Sequence, residues 1–169
     1  MREFEKAESF EMVAGIAFNY IRGSVFTADE YGVDGLIVFV PCGLTAMRVE
    51  WSDFRGKLGE LDGRIGDCVL FENRANWKLV IGFENIPYSV SLDEVHTKVV
   101  ASLQLLQQKG VKNVAMNGVR IDMAANELAK ERSEQKLVTC VKSWCQMHPS
   151  VFESIAFFDL RGGFNVRGC

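Results

Sequence analysis

The chain has 169 residues, 48% hydrophobic and 24% charged, with 19 Lys and Arg against 22 Asp and Glu for a formal net charge of −3. That length suits about one domain, long enough to bury roughly 70% of its unfolded surface. The acidic balance argues against a nucleic-acid partner, which needs a basic face to displace counterions, and against an anionic membrane surface.

No apolar run approaches the ~20 residues of a membrane span. The start, MREFEKAESFEM, is too acidic and lacks the apolar stretch of a signal peptide, so a cytoplasmic location is expected. Five cysteines, Cys42, Cys68, Cys140, Cys145 and Cys169, form no CxxC pair and no disulfide-scaffold spacing. They read as buried, reduced thiols. With His96 and His148 the only histidines, the nearest approach to a metal site is Cys140, Cys145 and His148. That set leaves tetrahedral zinc one ligand short, so no metal and no cofactor are expected.

The first strand is expected over Met12 to Phe18 (MVAGIAF), as an edge. Thr27-Ala28-Asp29-Glu30 is a capping-box pattern that would open one helical turn. Asp34 to Val40 (DGLIVFV) is apolar without alternation, as in a strand covered on both faces, and stops at Pro41-Cys42-Gly43. Leu44 to Gly66 suits a short helix and a loop. Asp67 to Glu72 and Trp77 to Phe83, joined by the polar turn Asn73-Arg74-Ala75-Asn76, predict a hairpin.

Ser91-Leu92-Asp93-Glu94 is a second capping box, with the serine oxygen placed to accept from the Glu94 amide. Leu92, Val95, Val99, Leu103 and Leu106 follow at helical spacing as one buried stripe, and Gly110 supplies a left-handed cap. Val111 to Met116 is the next strand, completing a strand–helix–strand unit. Asp122 to Met147 is helical again with a break near Ser133, and His148-Pro149 ends it. His148 there would offset the negative end of the helix. Ser154 to Leu160 (SIAFFDL) is the last strand, and Arg161 to Cys169 a loose tail. No repeat, linker or low-complexity tract interrupts residues 1–169, so a single domain with a core over about 12–160 is expected.

From about Tyr20 to Leu160 this order of elements resembles the macro-domain fold. YIRGSVF and GVDGLIVFV look like that family's first strand and its "VDAIVNAAN" strand. DCVLFENRANWKLVIGF looks like the pair leading into its "IIH" strand. SLDEVHTKVVASLQLLQQKG and VKNVAM look like the helix and "SIAFP" strand that follow, and KLVTCVKSWCQMHP and SIAFFDL like the last helix and strand. The resemblance implies a three-layer α/β/α domain with a mixed, mostly parallel sheet, and a family that commonly binds ADP-ribose or related nucleotides and in some members hydrolyses ADP-ribosyl groups. The same fold resembles the non-catalytic N-terminal domain of leucine aminopeptidases. The family's ligand motifs depart here. Val38 and Pro41 stand where its paired asparagines fall, no triple glycine follows Gly43, and Asn117-Gly118-Val119-Arg120-Ile121-Asp122 replaces its second phosphate loop.

Open α/β sheets bind ligands beyond the carboxyl ends of their strands. Here those ends carry Pro41-Cys42-Gly43, Glu84-Asn85, Asn117-Gly118-Val119-Arg120 and Asp159-Leu160-Arg161-Gly162-Gly163. Cys42, Gly43, Asn85, Asn117, Gly118 and Arg120 are therefore the candidate ligand-binding residues: glycines for close backbone approach, amides for hydrogen bonds, and Arg120 or Arg161 for a phosphate or carboxylate. Catalysis by a Cys42 thiolate would need a base such as His96 within hydrogen-bond reach. Trp51, Trp77 and Trp144 read as core or rim aromatics, any of which could instead stack on a purine. The cluster Lys130 to Lys136 reads as a solvated helix face. The leading expectation is a binding module for a small anionic, nucleotide-like ligand. The rivals are a degenerate non-catalytic scaffold that forms homo-oligomers, and a hydrolase of ADP-ribosyl or phosphate esters using Cys42, His96 or Asp122.

Overall fold

The computed structural model describes residues 9–41, 45–65, 68–86, 90–118 and 127–158, with the backbone alone at 9, 41, 45, 85 and 127–133. Eight strands form one sheet: β1 (Ser9–Val13), β2 (Ile16–Ile21), β3 (Gly35–Pro41), β4 (Gly63–Ile65), β5 (Cys68–Arg74), β6 (Trp77–Ile86), β7 (Asn113–Asn117) and β8 (Ser154–Phe158). Their spatial order is β1-β2-β8-β7-β3-β6-β5-β4. The five strands β2, β8, β7, β3 and β6 run parallel; β1 pairs antiparallel with β2 at one edge, and at the other β5 pairs antiparallel with β6 and β4 antiparallel with β5.

Both faces of the sheet are apolar, because successive side chains of the central strands point to opposite sides and both sides are covered. Ile37, Phe39, Ile81, Phe83, Val114, Met116, Ile155 and Phe157 pack against Val95, Val99, Leu103 and Leu106 of α2 (Leu92–Gln108) and Leu137, Val138, Val141 and Trp144 of α3 (Glu127–Met147). Leu36, Val38, Val40, Val80, Ala115 and Ala156 pack on the other side against Trp51 and Leu58 of α1 (Thr45–Leu58) and against a 3₁₀ helix, Val25–Tyr31. This is the three-layer α/β/α arrangement expected. It agrees with the macro-domain-like reading, although YIRGSVF is not one strand: Tyr20 and Ile21 end β2, and Val25 opens the 3₁₀ helix.

Several local details differ from the sequence expectations. Met12 to Phe18 is two strands. Ala14 (φ 51) and Gly15 (φ 80) make the two-residue turn of a β1–β2 hairpin, with Val13 opposite Ile16. The apolar residues of both strands run together in sequence and hide that turn. A Cβ at residue 15 would also collide with Ser150, so glycine serves here for space as well as for φ. The 3₁₀ helix is capped by Ser24, whose Oγ accepts from the Phe26 amide at 3.3 Å. The Thr27 hydroxyl instead donates to the Ser24 carbonyl. The segment after β3 holds a helix of 14 residues and the short strand β4, more than the short helix and loop expected.

The α2 cap is as read, with Ser91 Oγ accepting from the Glu94 amide at 3.1 Å, and Gly110 adopts φ 78. In the unit β6–α2–β7 the two strands are parallel but not neighbours, because β3 lies between them. Helix α3 runs through Ser133 without a break, its polar stretch being rich in the good helix formers Glu, Lys and Gln. The tail, 161–169, lies outside the described residues. No described helix is long and apolar enough to cross a membrane.

Candidate functional site

The connections of the sheet mark one crevice. From β3 the chain leaves to α1 on one face. From β6 and β7, the two neighbours of β3, it leaves to α2 and α3 on the other face. Adjacent parallel strands whose connections diverge to opposite faces leave a cleft at their carboxyl ends. The carboxyl end of β3 is that point.

Two features open and fix it. The β3–β7 ladder pairs Gly35, Leu36 and Ile37 with Val114, Ala115 and Met116 and then stops. Beyond it the Asn117 side chain takes over: Oδ1 accepts from the Phe39 amide at 2.8 Å, and Nδ2 donates to the Phe39 carbonyl at 2.9 Å. An amide group is thereby substituted for one peptide unit of a strand. Each of the two side-chain atoms keeps one further hydrogen-bonding position. On the other flank, β3 and β6 pair Phe39 with Phe83 but Pro41 with Ile86. One residue of β3, Val40, thus faces two of β6, Glu84 and Asn85. Such a bulge bends its strand and re-aims the side chains in it.

The bulge turns Glu84 toward α1. Its Oε2 accepts from Trp51 Nε1 at 2.7 Å and from Arg55, and its Oε1 lies 4.0 Å from Arg64 of β4. Trp51 and Arg55 are four apart and share one helix face. The indole fits because residue 82 is glycine: a Cβ there would stand 2.5 Å from two Trp51 ring carbons. Glu84 therefore joins the rim of the crevice to the helix that covers the opposite face.

Of the residues proposed from sequence, Asn117 and the half-buried Gly118 sit at the crevice, and Asn85 lies in the β6 bulge. Cys42, Gly43, Arg120, Arg161 and Asp122 lie outside the described residues. The sequence reading missed the grouping of Glu84 with Trp51 and Arg55. The available signal was an indole and a guanidinium one helical turn apart, with an unpaired carboxylate at a strand end.

His96 is partly buried, and its enclosed Nε2 has no hydrogen-bond partner among the described residues. Burial lowers its pKa below the ordinary imidazole value, with Lys136 acting the same way and Asp93 opposing. His148 does cap α3, its Nδ1 meeting the Trp144 carbonyl at 2.8 Å. Trp51, Trp77 and Trp144 are all core residues. Burial raises the pKa of the Cys140 thiol and pushes that of Cys145 up to about 12, so both stay protonated and unreactive at neutral pH. Among the described residues no group of three or more His, Cys, Asp or Glu side chains could hold a metal ion.

No family model and no curated protein sequence matches the chain. Solved structures do. A macrodomain of Trypanosoma brucei in complex with ADP aligns with a TM-score of 0.59 at 14% identity, covering 85% of this chain and 63% of that one. The macrodomain of Oceanobacillus iheyensis with ADP aligns at 0.56 and 9% identity, covering 95% and 93%. The macro domain of ganglioside-induced differentiation-associated protein 2 aligns at 0.52 and 13%, covering 91% and 81%. The fold is macrodomain-like. The chain spans under two thirds of the trypanosomal chain it matches.

Proposed function

We propose that this chain is a binding module for a nucleoside diphosphate of the ADP-ribose class, held at the carboxyl end of β3. The observation that carries the reading is the splayed end of the β3–β7 ladder. Asn117 locks the strands there, and on the opposite flank a bulge shifts the register of β6 against β3. The fold supports the ligand class, because solved neighbours include macrodomains in complex with ADP and with ADP-ribose. Cys42, Gly43, Asn85, Asn117, Gly118 and Arg120 are the residues proposed to line the site. Glycines would let the backbone approach the diphosphate, Asn117 would offer its two remaining hydrogen-bonding positions, and Arg120 would meet the charge.

The test is thermal unfolding with ADP-ribose, ADP and AMP. A ligand at a hundred times its Kd stabilises by about 2.7 kcal/mol, which raises the Tm by roughly 5–11 °C for a domain of this size. ADP-ribose should give the largest shift. If none of the three moves the Tm at millimolar concentration, the binding reading fails.

A further inference from the structure

Helices α2 and α3 lie side by side on one face of the sheet and leave a groove between them. Its volume is ≈ 640 Å³, and its lining includes His96, Val100, Lys136, Cys140, Trp144 and Met147. On α2 the lining runs from His96 to Gln104, which at 1.5 Å per residue is about 12 Å. This is a different place from the crevice at β3, and it shares no lining residue with that crevice.

Three features of the groove are unexplained by the fold. Trp144 is 5% exposed, and its buried Nε1 has no hydrogen-bond partner among the described residues. An indole N–H can only donate, so it requires an acceptor, and an unmet buried donor is uncommon in folded proteins. The His96 Nε2 is likewise enclosed and has no partner among the described residues. Lys136, exposed at the rim and close enough to act electrostatically on His96, makes no ion pair among the described residues. Asp93 also acts on the imidazole, but it is not part of the lining. The rest of the lining joins the polar Gln104, Thr139 and Ser143 to an apolar wall of Val100, the Cys140 side chain, Met147, which is 78% exposed, and the stacked pair Trp144–His148 with centroids 4.1 Å apart.

A mostly apolar recess of several hundred cubic ångströms with a few convergent polar groups is the usual form of a small-molecule site. The polar groups the acid would use are the enclosed His96 Nε2 and Trp144 Nε1, which have no partner among the described residues, and the exposed Lys136 ammonium at the rim. We infer that the α2–α3 groove binds a small amphipathic carboxylic acid, its apolar body along Val100, Trp144 and Met147 and its carboxylate on the His96 and Lys136 side. The Trp144 N–H supplies a further donor once the acid displaces the packing that now encloses it. A carboxylate is favoured over a neutral head because it accepts from several donors at once and matches the Lys136 charge, and hydrogen bonds to charged groups are about twice as strong as neutral ones.

The probe is octanoate, with 1-octanol as its uncharged counterpart, titrated against the full chain and followed by two-dimensional NMR of the indole N–H resonances. The Trp144 resonance is assigned by its loss in Trp144→Phe, and Trp51 and Trp77 serve as internal controls. Octanoate should move the Trp144 resonance alone and saturate, and should bind about tenfold tighter than octanol. Lys136→Gln, an exposed substitution that leaves the fold intact, should erase that difference. The inference is overturned if octanoate leaves the Trp144 resonance in place at 10 mM, if octanol binds equally well, or if Lys136→Gln keeps the full preference.

Discussion

Replacing Asn117 by alanine should cost far more than an ordinary half-buried polar substitution. The side chain makes two hydrogen bonds to the backbone of Phe39, at 2.8 and 2.9 Å, and Phe39 itself is fully buried. Each bond contributes about 1 kcal/mol net, and leaving a buried donor or acceptor unmet adds about 1–3 kcal/mol. The Phe39 amide and carbonyl cannot turn to β6, because in a parallel ladder a residue's two groups face the same neighbour. We therefore expect a loss of about 3 kcal/mol in urea unfolding, or roughly 6–12 °C in Tm for a chain of this size. Asn117→Asp should be destabilising as well. It keeps the acceptor for the Phe39 amide but sets a carboxylate oxygen against the Phe39 carbonyl. That deficit should shrink in acid, where a protonated carboxyl can donate again. The local reporter is hydrogen exchange: protection of the Phe39 amide should drop in Asn117→Ala before that of Ile37, whose pairing with Met116 remains. A loss below about 0.5 kcal/mol, within the range of ordinary surface changes, with Phe39 protection unchanged, would refute the idea that this amide stands in for a strand.

Two further substitutions test how the sheet is tied to its helices. Gly82→Ala puts a methyl 2.5 Å from the Trp51 ring and should cost about 1–3 kcal/mol by overpacking; combining it with Trp51→Leu should recover part of that, and strict additivity in the double-mutant cycle would contradict the contact. Glu11 is half-buried, and desolvation opposes its charge, but a bond from Lys142 of α3 at 2.6 Å and another from the Tyr20 hydroxyl at 2.6 Å outweigh it, so its folded pKa falls below the ordinary carboxylate value. A carboxylate with a depressed folded pKa contributes stability that is fully present above its unfolded pKa and lost as the pH falls through the folded one. Wild type should therefore exceed Glu11→Gln by about 0.2–1 kcal/mol at pH 7, the modest value reflecting partial exposure, and the gap should close on acidification below pH ~4; a gap independent of pH would remove the ionised carboxylate from the account.

The elements legible in the sequence were those whose signals are local. The Ser91 cap, the left-handed Gly110 and the stripe Leu92, Val95, Val99, Leu103 and Leu106 belong to one helix and its ends, and all are present except that Leu92 is only half-buried. The continuous apolar run of β3 correctly announced a strand covered on both faces. The β1–β2 turn was hidden because apolar strands flank it on both sides, so Ala14-Gly15 looked like strand interior. The strand order was not legible, because nothing local in β6 or β7 says that β3 will lie between them. Asn117 was legible as a site residue by its place at a strand end. Its bond to Phe39 depends on two strands parting after Ile37, which no local pattern encodes. The same holds for Glu84, whose partners lie in a separate helix and a separate strand.

The sheet order also sets when this chain can fold. Strand β8, the last of the described elements, sits between β2 and β7, so Ala17 pairs with Ser154 while β7 pairs with β8 on its other side. A nascent chain lacking β8 can close β7, β3, β6, β5 and β4 into one unit, but the β1–β2 hairpin has nothing to join. Completion of the sheet must wait for nearly all of these residues to leave the ribosome, and closing so long a loop slows folding. Truncation ahead of Ser154 should therefore leave a persistent partly folded species with two open strand edges, one on β2 and one on β7, each able to pair with another chain.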